Sequence, residues 1–107
     1  MSKTQILTIG RHPEILQTVV RLVNSNPDWE CLGVQTDDEA IAVFSARPFD
    51  LVLLGGGIEN ESEALLCNAF RAHNPNIIII QHYGGGSGLL TAEIYEGLRG
   101  ATLGRPL

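Results

Sequence analysis

The sequence predicts an α/β domain built on a mainly parallel β-sheet. Two short apolar runs, Leu51–Leu54 and Ile77–Ile80, are bounded by glycine, proline or polar residues, which is typical of strands buried on both faces. Segments with a strand pattern alternate with segments with a helical pattern four times along the chain. Such alternation predicts parallel strands joined by right-handed helical crossovers.

Composition indicates a single packed domain, residues 1–107. Hydrophobic residues make up 44% of the chain and charged residues 18%, which suits a globular core. The formal net charge of −5 argues against a nucleic-acid partner. No run approaches the ~20 apolar residues that cross a bilayer, and the first residues lack the apolar core of a signal peptide. We therefore expect no membrane partner and a cytoplasmic location.

Helix-breaking residues and the spacing of apolar residues predict the first three elements. Gln5–Ile9 is the first predicted strand, and the first helix, Pro13–Asn24, begins at a proline whose missing N–H has no helical partner at that position anyway. Trp29–Val34 is the second strand. The apolar stripe of the first helix consists of Ile15, Leu16, Val19, Val20, Leu22 and Val23.

The second helix begins with a capping box at Thr36–Glu39, in which a hydroxyl is followed three residues later by a carboxylate. Its inward positions are Ala40, Ile41, Val43 and Phe44. The central strand, Leu51–Leu54, then runs into Gly55–Gly57.

The last elements repeat this logic. Asn60–Glu63 predicts the capped start of a third helix that ends at His73, and Ile77–Ile80 is the fourth strand. Ser87–Arg99 predicts a fourth helix, and Ala101–Leu103 a short fifth strand. The predicted core side of the third helix consists of Ala64, Leu65, Leu66, Ala69 and Phe70, and that of the fourth helix of Leu90, Ile94 and Leu98.

Several segments resemble the receiver domain of two-component response regulators. Ile6–Leu16 is similar to the family's opening strand and turn, and Pro48–Leu54 to the segment that leads to its phosphorylated aspartate. Thr36–Ala42 is similar to its second-helix start, and Ile77–Ile80 to its fourth strand. The resemblance spans about residues 3 to 106. It implies a flavodoxin-like, doubly wound sheet of five parallel strands in the order 2-1-3-4-5.

Each functional position that the resemblance implies is changed in this chain. The acidic pair that holds magnesium falls on Gly10 and Arg11, and the phosphoacceptor aspartate falls on Gly55. The hydroxyl residue after the fourth strand falls on Gln81, and the lysine before a proline on Arg105. Aspartyl phosphorylation needs a carboxylate nucleophile and anionic metal ligands. We therefore expect a non-enzymatic pseudo-receiver with no phosphoacceptor, metal or cofactor, which acts through contact with a protein partner that the sequence does not identify.

The chain ends where the resemblance places a fifth helix, which covers one sheet face beside the first helix. Without that helix, on the order of 400 Å² of apolar surface would be bare. Hiding such a patch is worth up to about 10 kcal/mol before entropy losses. We therefore expect a homodimer through this face.

The alternative function is a sensor of an anionic or nucleotide ligand at the glycine-rich sheet edge. Glycine-rich turns before helices can bind phosphate through backbone N–H groups, although neither glycine cluster matches a phosphate-binding motif. Arginine and histidine side chains are predicted at the same edge, so we expect it to be neutral to basic. The counter-interpretation is that Arg11 and Arg105 are solvated or paired with acids such as Glu14 and Glu59. The candidate anion site consists of Gly10, Arg11, Gly55, Gln81, His82, Gly84, Gly85 and Arg105.

Other chemistry has little support in the sequence. Cys31 and Cys67 have no CxxC spacing, so we interpret both as packed thiols. His12 and His82 lack a third metal ligand. No serine, cysteine or aspartate has an identifiable base to activate it, so no catalytic residue is expected.

Overall fold

The computed structural model describes residues 3–55, 57–81, 92 and 94–98. Its strands are β1 (Thr4–Ile9), β2 (Trp29–Val34), β3 (Leu51–Leu54) and β4 (Ile78–Gln81), and its helices are α1 (Pro13–Asn24), α2 (Asp37–Ala46) and α3 (Asn60–His73). Residues 94–98 are also helical, and we call them the 94–98 segment.

The four strands form a parallel sheet in the order β2-β1-β3-β4, which confirms the predicted α/β class. In the register, Thr4 pairs with Trp29, Ile6 with Leu51, and Leu54 with Gln81. The fifth strand predicted at Ala101–Leu103 lies outside the described residues. All strands point the same way, so β1, β3 and β4 end at one edge of the sheet, which we call the carboxyl edge.

Burial along the sheet follows from strand position. All four side chains of β3 are at most 1% exposed, as expected of a strand with a neighbour on each side and helices on both faces. The isoleucines of β4 are only half-buried, although the sequence predicted full burial for this strand. The physical reason is position, because β4 is the outermost of the described strands.

One sheet face is covered by α2 and α3. Ala40 and Phe44 of α2 and Leu66 and Phe70 of α3 are buried there against Leu7, Ile9, Val52 and Leu54 of the sheet. The rings of Phe44 and Phe70 lie 4.5 Å apart between centroids. The predicted capping box of α2 is present, since the Thr36 hydroxyl accepts from the Glu39 backbone N–H at 3.2 Å.

The predicted cap of α3 and parts of the predicted core sides of α1 and α3 are wrong. In α3, Asn60 is the first helical residue rather than the cap, and Glu59 at the cap makes no side-chain capping bond. Leu65, predicted on the core side, is 52% exposed, and Ile15 of α1 is 63% exposed. Both lie next to a residue that is buried, Leu66 and Leu16, because only a narrow stripe of each helix meets the sheet.

The opposite sheet face is covered by α1 together with the 94–98 segment. Ile94 is fully buried in a cluster with Val23 of α1 and Ile6, Leu51 and Leu53 of the sheet. Leu98 packs against the same cluster. The segment therefore lies on the α1 face, where the resemblance places a fifth helix, and it covers part of the surface that the sequence left bare.

An aromatic contact, a hydrogen bond and the small size of a glycine let this segment pack closely on the sheet. The Tyr95 ring lies 4.9 Å from the Trp29 ring, and Asn26 donates to the Tyr95 hydroxyl at 3.0 Å. A Cβ at Gly97 would lie 2.6 Å from Cδ1 of Ile80, so the absence of a side chain permits this close approach to β4.

Candidate functional site

The candidate site is built on the carboxyl edge, where Gly10 follows β1 and Gly55 follows β3. The Gly55 N–H donates to the carbonyl of Ile9 at 2.8 Å, and the Gly10 N–H donates to the carbonyl of Val34 at 3.1 Å. Gln81 ends β4 beside Leu54. The structure thus places Gly10, Gly55 and Gln81 at one edge, as the sequence predicted from parallel strands.

Gly55 is held close to the neighbouring strand. A Cβ at this position would lie 3.0 Å from the carbonyl oxygen of Ile9 and 3.6 Å from Cα of Gly10. The first distance is shorter than most real Cβ contacts, so a side chain here would push against the backbone of β1. The end of β3 therefore offers no nucleophile, and a side chain there would require the backbone of β1 to move by a few tenths of an ångström.

Arg11 is the charged residue of the candidate anion site that lies within the described part of this edge. Its Nη1 donates to the carbonyl of Gln35 at 2.8 Å, and its Nη2 donates to Oδ1 of Asp37 at 2.7 Å. Oε1 of Glu59 lies 3.6 Å from the same Nη2. The sequence named Glu59 as a possible partner, and this pairing is confirmed. For Glu14, the other acid named, the structure gives no ion pair with Arg11 within the described residues.

Asp37 is the site residue that sequence reasoning missed. The sequence places Asp37 in the acidic first turn of α2, where a negative charge is favourable without any ion-pair partner. The available signal was position, because α2 begins just after β2 ends and so its first residue lies at the carboxyl edge beside Arg11.

The local backbone shapes the Arg11 environment. Gly57 has φ of +84°, a left-handed conformation that favours glycine. A Cβ there would lie 3.6 Å from Cβ of Arg11 and 3.7 Å from Nε2 of His12. The β3–α3 turn therefore passes close to the stem of the arginine side chain.

The ion pair shifts the proton affinity of both partners. The hydrogen bond to Asp37 raises the pKa of Arg11. Burial acts to raise the pKa of Asp37, but the hydrogen bonds from Arg11 and Ser62 outweigh it and leave the pKa below the ordinary range. Both side chains are about four-fifths covered, at 23% and 22% exposure, whereas Glu59 is 72% exposed. The Arg11–Asp37 contact is the inner part of the cluster, and Glu59 is its solvent-facing part.

The described part of the edge is acidic rather than neutral to basic. The first turns of α1, α2 and α3 all carry carboxylates, and all three helices begin at this edge. The positive end of each helix dipole stabilises these carboxylates. The acidic residues are Glu14, Asp37, Asp38, Glu39, Glu61 and Glu63. Arg11, the arginine among the described candidates, is already paired.

The rest of the candidate anion site lies outside the described residues, namely His82, Gly84, Gly85 and Arg105. Within the ranges 3–55 and 57–81 and the helical residues near the end, no group of three or more metal-ligating side chains is present. None of the helices so described is long and apolar enough to cross a membrane.

The cysteines lie away from the carboxyl edge. Cys31 is buried, and its sulfur lies 3.1 Å from the Thr8 hydroxyl in a hydrogen bond between β1 and β2. Burial raises the pKa of the Cys31 thiol from 9.0 to about 11, and the Thr8 bond opposes this only in part. Cys67 is half-buried, and burial raises its pKa as well. Both thiols are free, and a raised pKa disfavours the reactive thiolate.

Solved receiver structures have the same fold as this chain. A response regulator receiver protein from Sinorhizobium medicae WSM419 superposes with a TM-score of 0.79 at 13% identity, over 92% of this chain and 97% of that one. A receiver domain from Methylobacillus flagellatus gives a TM-score of 0.72 at 16% identity, over 94% and 99%. The receiver domain of the hybrid histidine kinase CckA gives 0.73 at 14% identity, over 88% and 98%.

At the level of sequence, the chain matches no protein-family model and no curated protein. The likeness is therefore one of architecture. The chain has the flavodoxin-like fold of response regulator receiver domains, as the sequence resemblance implied.

Proposed function

We propose that this chain is a pseudo-receiver, a signalling module that acts by protein–protein contact without phosphorylation on aspartate. The observation that carries the proposal is Gly55 at the end of β3, where the resemblance places the phosphoacceptor. The close approach of the Ile9 carbonyl supports it, because the backbone there is packed as glycine allows. The shared architecture supports a regulatory rather than an enzymatic role.

The charges around Gly55 support the same proposal. Receiver phosphorylation needs a divalent cation to neutralise developing negative charge. At this edge the carboxylate of Asp37 is bound to a guanidinium instead, and Gly10 offers no ligand. A cation at Asp37 would have to compete with Arg11, which already occupies Oδ1 of this carboxylate.

Phosphodonor treatment tests the proposal. Acetyl phosphate or beryllofluoride with Mg²⁺ is expected to add no mass and to leave the NMR spectrum unchanged. A phosphorylatable receiver domain treated in parallel is the positive control. Asp50→Asn is the matched variant, since Asp50 lies next to β3 at its other end, where it accepts from the Gln5 N–H. A stable phosphoprotein from the wild-type chain would overturn the proposal, and its loss in Asp50→Asn would identify the acceptor.

The alternative, an anion or nucleotide sensor, has less support. Both Nη atoms of Arg11 already donate to protein acceptors, and neighbouring carboxylates repel an anion. Under this alternative, phosphate, nucleotides or cyclic dinucleotides raise the free energy of unfolding by RT ln(1 + [L]/Kd), and the melting temperature rises with ligand concentration. Under the preferred function the melting temperature stays unchanged.

A homodimer stays a prediction of the sequence. The sequence argument for a dimer was a bare apolar surface beside α1. That surface is smaller than expected, because Ile94 and Leu98 cover part of it. The remaining support is that Ile15 and Tyr95, both on this side of the sheet, are large apolar side chains with 63% and 48% exposure.

A further inference from the structure

Arg11 links three separate loops of the carboxyl edge. It lies between β1 and α1, it donates to Gln35 between β2 and α2, and it pairs with Glu59 just before α3. Its shortest contact, 2.7 Å to Asp37, is to the first residue of α2. One side chain thus connects segments that are far apart in sequence.

The contacts of Arg11 should stabilise the fold more than an ordinary surface ion pair does. An isolated exposed pair contributes little, because solvent screens it and two flexible side chains must be ordered. Arg11 instead uses two nitrogens on a backbone carbonyl and a carboxylate in a partly covered position. A planar guanidinium suits such forked contacts better than an ammonium does.

The helix starts depend on the loops that Arg11 joins. The Ala40 N–H donates to the Thr36 carbonyl at 3.0 Å in the first turn of α2, and the Glu63 N–H donates to the Glu59 carbonyl at 2.9 Å in the first turn of α3. These two amides therefore report on the two loops separately.

We propose that Arg11, Gln35, Asp37 and Glu59 form a latch, which we call the Arg11 latch, that holds the β2–α2 and β3–α3 loops in one arrangement. Arg11 is the positioning residue of this latch. When the latch opens, the starts of α2 and α3 loosen while the sheet stays folded. The latch acts whether or not the chain is phosphorylated, so its test is independent of the phosphodonor experiment.

Amide hydrogen exchange measured by NMR tests the latch in the full chain. Arg11→Met keeps the apolar stem and removes every donor, so the Ala40 and Glu63 amides are expected to exchange about tenfold faster, as for loss of one charged hydrogen bond. Arg11→Lys is expected to fall between Arg11→Met and wild type, because an ammonium does not reproduce the fork. Amides inside β1 and β3 should exchange as in wild type.

Arg21→Met is the matched control, since Arg21 is exposed in the last turn of α1, away from this edge. The latch is overturned if Glu63 exchanges equally fast in Arg11→Met and Arg21→Met. Should Arg11→Met fail to fold, Asp37→Asn decides, because it removes the carboxylate charge that pairs with Arg11 and changes the side-chain volume little. Asp38→Asn removes the same charge from the same turn, and equal Glu63 exchange in these two variants also overturns the latch.

Discussion

Gly33 occupies the point where α1 crosses β2. A Cβ at Gly33 would lie 2.7 Å from Cγ2 of Val20 and 3.1 Å from Cδ1 of Leu16. Valine is stiff about χ1, and both neighbours are held in a packed layer, so neither can move away easily. The absence of a side chain at Gly33 therefore sets the distance between this helix and the sheet.

We predict that Gly33→Ala destabilises the fold by about 1–3 kcal/mol through overpacking. Gly10→Ala is the matched control, because its Cβ would meet Leu16 at an ordinary 3.5 Å. Its expected change is smaller than that of Gly33→Ala, because the added methyl group meets no atom closer than 3.5 Å. Urea denaturation measures both, and equal midpoints would contradict the packing argument.

Cys31 makes stability depend on alkaline pH. Burial raises the pKa of its thiol to about 11, so the folded chain keeps a proton that the unfolded chain loses near pH 9.0. Between these values the unfolded state binds fewer protons, and the free energy of unfolding falls as pH rises. The stabilisation is complete below pH 9 and is lost through pH 11, with a loss of about 3 kcal/mol.

Urea denaturation under reducing conditions, on either side of this window, measures the loss. Cys31→Ala is expected to remove most of the fall between the two pH values. Cys67→Ala should retain it, because that thiol is only half-buried. An unchanged slope in Cys31→Ala would show that other groups cause the alkaline loss.

At the scale of elements, the sequence predicted most boundaries of the helices and strands correctly. The observed limits of α1, β2 and β3 coincide with the prediction, because proline, glycine and polar residues terminate them sharply. β4 is displaced by one residue from the predicted run, since four consecutive isoleucines give no internal marker of where pairing begins.

The sequence could not show which side of the sheet the apolar face of each helix packs against. A helical stripe shows which residues are apolar but not which side of the sheet they cover. The predicted fourth helix included Ile94 and Leu98, but the sequence did not show that these two residues pack on the same side of the sheet as α1. The same limit explains Asp37, whose contact with Arg11 depends on how two loops meet in space.

The 94–98 segment should contribute strongly to stability despite its short length. We predict that Ile94→Ala costs about 2–5 kcal/mol, because it opens a cavity among Ile6, Val23 and Leu51. Glu96→Ala is the control on the exposed side of the same turn. Urea midpoints compare the two, and a small effect of Ile94→Ala would show that the segment does not seal this face.

At the scale of the whole molecule, the two sheet faces differ in what they expose. Ile15 and Tyr95 are exposed on the α1 side, and Leu65 is exposed on the α3 side. If the predicted homodimer forms through the α1 side, Ile15→Lys should dissociate it and Leu65→Lys should not. Sedimentation velocity at tens of micromolar measures this difference. A wild-type monomer at that concentration would contradict the dimer.

The order of the strands also has a consequence for synthesis on the ribosome. β1 is translated first, yet it lies in the interior of the sheet with β2 and β3 as its neighbours. Its Ile6 pairs with Cys31 on one side and with Leu51 on the other. β1 therefore lacks one of its two neighbouring strands until β3 has been synthesised, and part of its apolar surface is exposed during that time. Nascent chains paused before Leu54 should be the ones that chaperones bind.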